Sequence, residues 1–318
     1  MKNLINTRFF GLFHKLSTSK KSLKPLDIKF SKIIINTMKR RIILFFSIFF
    51  CTICLFAQTS SQEEEIINQF NDFRMELEQF SEPNLILEKI SNYEQNLYSQ
   101  KEFQDFSSET KLILENMIFL EKVKNQVKLI ENDKTAKKAL KEKFSLQIDK
   151  TAKTILDLQN SNKIPSKWLF TNQGDLISFS LQFATLTQAI KSGLEVKTYY
   201  EQAINQDATM SFALVNLGMW YYYVPSIAGG DKEKTYQYLK KAVDSAKTLS
   251  EEYFSKIIYS QILFERENFQ EAKKVLQEAK KICPNSIAIQ TMEKLNNAGI
   301  SWIEYSTNPK KYEKLLKD

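Results

Sequence analysis

The chain has 318 residues with 45 Lys and Arg, 37 Asp and Glu, one His and three Cys, for a formal net charge of +8. That length allows one or two domains, but the charge is unevenly placed. Residues 1–57 carry eleven Lys or Arg and only Asp27, so residues 58–318 hold 34 basic and 36 acidic side chains and give no electrostatic argument for nucleic-acid binding.

The same division limits the chemistry. His14, Cys51 and Cys54 lie within the first 57 residues, which leaves Cys283 as the one remaining cysteine and no histidine at all. An internal disulfide, a Ser–His or Cys–His pair and an ordinary zinc site are thereby excluded from residues 58–318. The expectation is a protein with no cofactor, no metal and no catalytic activity. Cys283 reads as a small buried residue at a helix end.

From Met38 the sequence runs MKRRIILFFSIFFCTICLFAQTS, with Lys39, Arg40 and Arg41 before an apolar run and Ala57 before a polar stretch. This is the layout of a secretory signal peptide at residues 38–57. Its apolar run of about fifteen residues is shorter than the ~20 that span a bilayer. Phe50 and Ile53 stand before Cys51 and Cys54, where a lipidation site has a small residue. Residues 1–37 precede a complete export signal and read as a start-site artefact or an extra leader. The expected location is outside the cytoplasm, in a periplasm.

Beyond residue 57 the apolar period is helical throughout, with six glycines, five prolines and no alternating strand followed by a hairpin turn. Residues 58–160 form an N-terminal helical region. It opens with two amphipathic stretches, at residues 62–80 and 84–98, broken at Ser81-Glu82-Pro83. A longer stretch follows at residues 108–159, divided near Asn132-Asp133. Residues 161–176 read as a connecting loop in which Trp168, Leu169 and Phe170 need burial. Residues 287–318 read as capping helices.

Residues 177–286 repeat one pattern three times. The first unit has Ile177, Ala184, Val196, Tyr200 and Ala203. The second has Leu217-Gly218, Tyr221, Thr235, Leu239 and Ala242, and the third has Tyr259-Ser260, Leu263, Phe269, Ala272, Leu276, Ala279 and Pro284. Ala203, Ala242 and Ala279 are 39 and 37 residues apart, and Ala184 to Gly218 is 34. These segments resemble the tetratricopeptide repeat family, whose unit of about 34 residues is a pair of antiparallel helices. The resemblance implies an all-α fold in which hairpins stack as an α-solenoid, because no hairpin buries its apolar face alone.

In that family the first helices of successive units line a concave face. Here the resemblance places Leu181, Thr185, Gln188, Phe212, Val215, Met219, Ile257, Gln261 and Phe264 on it, a largely apolar, aromatic groove suited to an apolar segment of a partner protein. Trp220, Tyr222 and Tyr223, expected to form an aromatic partner-contact patch with the loop that follows, precede Val224-Pro225 and Gly229-Gly230-Asp231, where about five extra residues separate the paired helices. Val224-Pro225 ends a helix and Asp231 caps the next. This Leu-Gly, Tyr, Pro and Gly-Gly-Asp sequence is similar to tetratricopeptide-like accessory components of transporters that depend on solute-binding proteins. The expected function is an exported adaptor or scaffold binding an envelope protein through the concave face. The alternative is a small-molecule carrier or transporter accessory whose repeats surround a pocket. An open groove favours the adaptor and a groove closed over by the N-terminal helices favours the carrier.

Overall fold

The computed structural model describes residues 61–130, 133–312 and 314–316. The signal segment expected at residues 38–57 and the stretch before it lie outside the described residues. Among the described residues there are thirteen α-helices and no strand, and no helix is long and apolar enough to cross a membrane.

Helices begin where the sequence supplies a cap. α1 spans Ser61–Leu77, and α2, Pro83–Ser99, starts with a proline whose missing N–H costs nothing at that position. After the short α3 (Lys101–Asp105), Ser107 caps α4 (Ser108–Leu129) by accepting from Thr110 N at 3.1 Å. Asp133 caps α5 (Lys134–Asn160) through Ala136 N at 2.9 Å, so the division expected near Asn132-Asp133 is present. The connection expected at residues 161–176 is shorter than that. Ser166 accepts from Leu169 N and starts α6 (Lys167–Ser180), whose first turns bury Trp168, Leu169 and Phe170.

Three consecutive helix pairs follow. α6 pairs with α7 (Leu186–Gln206), α8 (Ser211–Tyr223) with α9 (Lys232–Ser245), and α10 (Leu249–Glu265) with α11 (Phe269–Ile282), and these are the most extensive helix–helix contacts among the described residues. α12 (Ile287–Asn297) and α13 (Trp302–Thr307) close the described chain, with short 3-10 turns at Pro309–Tyr312 and Lys314–Leu316 in place of the last expected helix.

The small residues sit at the pair contacts, with one reassignment. Ala203, Ala242, Ala279 and Ser260 are fully buried, and a Cβ on Gly218 would lie 3.2 Å from Leu239 Cγ and Tyr238 Cβ. Ala184, expected inside the first helix of the first unit, instead ends the 3-10 turn Leu181–Phe183. Gly174 on α6 takes that role, because a Cβ there would stand 2.6 Å from Tyr200 Cε1 on the paired helix. Tyr200 is buried and its hydroxyl donates to Asp175, so the ring has no room to retreat. Gly174→Ala is expected to lower stability by about 1–3 kcal/mol through overpacking, read as a lower urea midpoint at unchanged slope.

The long connection between α8 and α9 is ordered by its backbone. Gly229 has φ +99°, a conformation L side chains rarely adopt, and Gly230 N donates to Pro225 O at 3.1 Å. A Cβ on Gly230 would fall 1.6 Å from Val224 O, which accounts for the Gly-Gly pair without a ligand. Asp231 caps α9 as expected, accepting from Glu233 N and Lys234 N at 2.9 and 3.0 Å.

The N-terminal helices share their core with the paired helices. Buried Ile66, Ile67 and Phe70 of α1 belong to one apolar cluster with Leu112, Ile113, Trp168, Leu169, Ala203 and Ala213. α1 packs against both α4 and α10. Its ends are fastened as well: Lys167 pairs with Glu64 at 2.7 Å, and past its last turn Glu78 O accepts from Ile287 N at 2.9 Å. Cys283 is buried against this junction, with its thiol directed at Met75 O, and burial pushes the thiol pKa up to about 11. Native protein at pH 8 is expected to react with a thiol reagent far more slowly than protein in denaturant, with one thiol per 261-residue Gln58-onward chain appearing on unfolding.

Candidate functional site

Because α1 touches both α4 and α10, one face of each of α1, α4, α6, α8 and α10 surrounds a common space of about 340 Å³. This is at the lower end of the ~300–1,000 Å³ typical of small-molecule sites. The wall residues recur at helical spacing: Met117, Leu120, Glu121, Lys124, Asn125 and Lys128 on α4, and Trp168, Thr171, Asn172, Asp175, Ser178 and Phe179 on α6. α8 adds Phe212, Val215, Asn216 and Met219, and α10 adds Glu251, Phe254, Ser255 and Ile258.

Ionisable groups dominate one side. Arg74 Nε donates to Glu121 Oε1 at 2.7 Å, and Lys124 Nζ donates to the same oxygen at 2.6 Å. Arg74 Nη1 donates to Asn71 Oδ1 and Lys128 Nζ to Asn125 Oδ1, both at 2.9 Å. Burial opposes ionisation of Glu121, but Lys124 and Arg74 overcome it and hold the carboxyl down at about 2. Burial pushes the Lys128 pKa down and that of Glu78 up.

Asp175 stands apart from that cluster. Its Oδ1 accepts from Tyr200 Oη at 2.8 Å and Asn216 Nδ2 at 2.7 Å. Burial nevertheless raises its pKa to about 6, against the pull of Tyr200, Arg74 and Lys124. Two buried polar atoms of α6, Asn172 Oδ1 and Trp168 Nε1, have no hydrogen-bond partner among the described residues.

Aromatic rings complete the lining. Phe212 lies between Trp168 and Phe254, with ring centroids 5.9 and 6.0 Å away, and the Arg74 guanidinium sits 5.9 Å from Phe212 and 5.5 Å from Phe254. These rings and charges form a polar, aromatic pocket that is partly open to solvent and lined by half-buried charged side chains.

Of the residues expected on a concave partner-binding face, Phe212, Val215 and Met219 line this cavity. Leu181 and Ile257 are buried in the apolar core, and Gln261 is fully buried with its Oε1 accepting from Trp302 N at 2.8 Å. Trp220 is buried and donates to Gly193 O at 2.7 Å, so it is a structural tether for α7. Tyr222 donates to Glu265 at 2.9 Å with Tyr223 packed edge-on against it, and Phe264 packs on Phe269. Thr185 and Gln188 form the capping box of α7 at the surface. The twelve side chains are therefore divided among core, cap and cavity, with no single open groove.

The sequence reading missed Arg74, Glu78, Glu121, Lys124, Lys128, Trp168, Asn172 and Asp175 as site residues. A usable signal exists: on α4 and α6 polar residues recur at three- and four-residue steps beside buried apolar ones, where a purely structural helix face is apolar. Among the described residues no group of three or more His, Cys, Asp or Glu is placed to hold a metal ion. No protein-family model matches the chain, and neither does any curated protein or solved structure.

Proposed function

We propose that the chain is a non-catalytic binding protein that encloses a small molecule between its N-terminal helices and an array of tetratricopeptide-like helical hairpins, and that it acts outside the cytoplasm. The observation that carries this reading is α1, which packs on α4 and α10 and turns the concave side of α6, α8 and α10 into the wall of a chamber. A protein adaptor needs Ile257 and Gln261 within reach of a partner, and both are buried. The consecutive pairs α6–α7, α8–α9 and α10–α11, with small residues at their contacts, support the repeat assignment. The export assignment rests on the signal-like sequence at residues 38–57.

A carboxylate-dependent enzyme has one observation in its favour: Asp175 at about 6 and Glu121 at about 2 are pushed apart in one cavity, the pattern of an acid–base pair. Against it, Glu121 is engaged by Arg74 and Lys124, and Asp175 Oδ1 by Tyr200 and Asn216. Those contacts describe fixed charges that recognise a molecule.

The test is a thermal-shift screen of the full chain against chemically diverse small molecules, run beside Val215→Trp, which sets an indole at the wall of the space and narrows it. Compounds that raise the wild-type melting temperature and leave a folded Val215→Trp unmoved support the enclosed site. Compounds that shift both equally place binding on the outer surface and contradict it.

A further inference from the structure

The charged side chains around the chamber are matched in number. Arg74, Lys124 and Lys128 stand against Glu78, Glu121 and Asp175. The other carboxylate of the lining, Glu251, is committed to the start of α10, where its Oε2 accepts from Lys247 N at 2.7 Å and Thr248 N at 3.3 Å. Glu121 is held by Arg74 and Lys124, Lys128 donates to Asn125, and Asp175 accepts from Tyr200 and Asn216. A ligand with a net charge would draw one of these groups from its partner, and a half-buried charge deprived of its partner is costly. An uncharged ligand leaves the balance intact.

These contacts do not use up the polar atoms. Both bonds to Glu121 end on Oε1 and both bonds to Asp175 end on Oδ1, so Oε2 of the first and Oδ2 of the second take none of them. Neither oxygen is among the polar atoms sealed in the interior without a partner. Asn216 uses Nδ2 and keeps Oδ1. On the donor side, Arg74 uses Nε and Nη1 and keeps Nη2, and the Lys128 ammonium has more hydrogens than its bond to Asn125 takes.

Open acceptors on α4, α6 and α8 and open donors on α1 and α4 thus share one space. A hydroxyl is the neutral group that both donates and accepts. Several hydroxyls on one compact frame meet both kinds of atom at once, whereas an apolar molecule would strip water from them and return nothing. Half-buried Phe212 and Phe254 offer apolar surface to the carbon frame. A space of about 340 Å³ suits one ring-sized molecule.

Building on the enclosed-ligand reading, we propose that the chamber takes an uncharged polyhydroxyl molecule of the monosaccharide class. Its hydroxyls donate to Glu121 Oε2 and Asp175 Oδ2 and accept from Arg74 Nη2 and Lys128 Nζ. Its carbon frame lies against Phe212 and Phe254.

The experiment is isothermal titration of the full chain with glucose, galactose and mannose, each beside its uronic acid and its 2-amino counterpart. At least one neutral sugar is expected to bind about tenfold more tightly than its charged counterparts. At least one deoxy analogue of that sugar is expected to bind about tenfold more weakly, the effect of losing a hydrogen bond to a charged group. Asp175→Asn, verified as folded by circular dichroism, is expected to weaken the sugar about tenfold without lowering stability. A charged counterpart that binds as tightly as the neutral sugar overturns the proposal, as does an Asp175→Asn protein that binds it unchanged. The absence of any sugar binding overturns it too. In that last case, another compound that raises the melting temperature of the wild type but not of Val215→Trp keeps the enclosed-ligand function. If no compound does, both fall.

Discussion

Glu121→Ala is expected to destabilise the protein by about 3–5 kcal/mol, the loss typical when one member of a buried ion pair is removed. The cause is not the deleted attraction alone. Arg74 and Lys124, only 20 % and 16 % exposed, would remain in the chamber without the carboxylate that both contact. The pH dependence has a definite sign. Glu121 is held at about 2, below the range of an unfolded Glu, so its contribution is fully present above about pH 4.5 and is lost as pH falls through 2. That shift corresponds to about 3 kcal/mol. Lys150→Ala is the internal comparison, because its pair with Glu115 is half exposed (52 % and 39 %) and its removal should change stability by less than about 1 kcal/mol. Urea unfolding at pH 7 of the two variants measures the contrast. Equal small losses would mean that the cavity cluster is solvated like the surface.

The second large effect has the opposite sign. Asp175→Asn is expected to stabilise the protein above pH 7 by up to about 3 kcal/mol, the value of a shift of about two units. The folded-state carboxyl is raised to about 6, so its ionised form is penalised by folding above that pH. The penalty disappears as pH falls from about 6 to about 4, where the carboxyl is protonated in both states. Asparagine keeps an acceptor for Tyr200 and Asn216 without the charge. Wild type is therefore expected to gain stability on going from pH 8 to pH 5 relative to Asp175→Asn, whose own profile lacks this component. Thermal unfolding across pH 4–8 reads the difference. A side chain that lowers stability while completing a ligand wall is the kind of residue expected at a binding site.

Much of the helical organisation is legible from single residues. Pro83, Asp133 and Asp231 mark helix starts that the structure shows. Ala203, Ala242 and Ala279 mark close helix contacts because nothing larger fits. The α6 start was hidden because Gln173 and Gly174 resemble loop residues. The reason for Gly174 is the ring of Tyr200, 26 residues further on, and no local pattern contains it. The chamber was hidden for the same reason. Whether Phe212 and Val215 face solvent or a cavity depends on where α1 lies, and the chain position of α1 does not say that it folds back across α10. Once that placement is known, Arg74, Glu121, Lys124 and Asp175, which look like surface residues in sequence, become half-buried charges around one pocket.

Native mass spectrometry tests the central claim most directly. The full chain is incubated with a small-molecule extract, desalted and measured beside Val215→Trp. The account predicts a 1:1 complex between the wild-type chain and a small molecule, absent from the folded variant. A wild-type chain that emerges without any small molecule, or an adduct that persists unchanged in Val215→Trp, would contradict it.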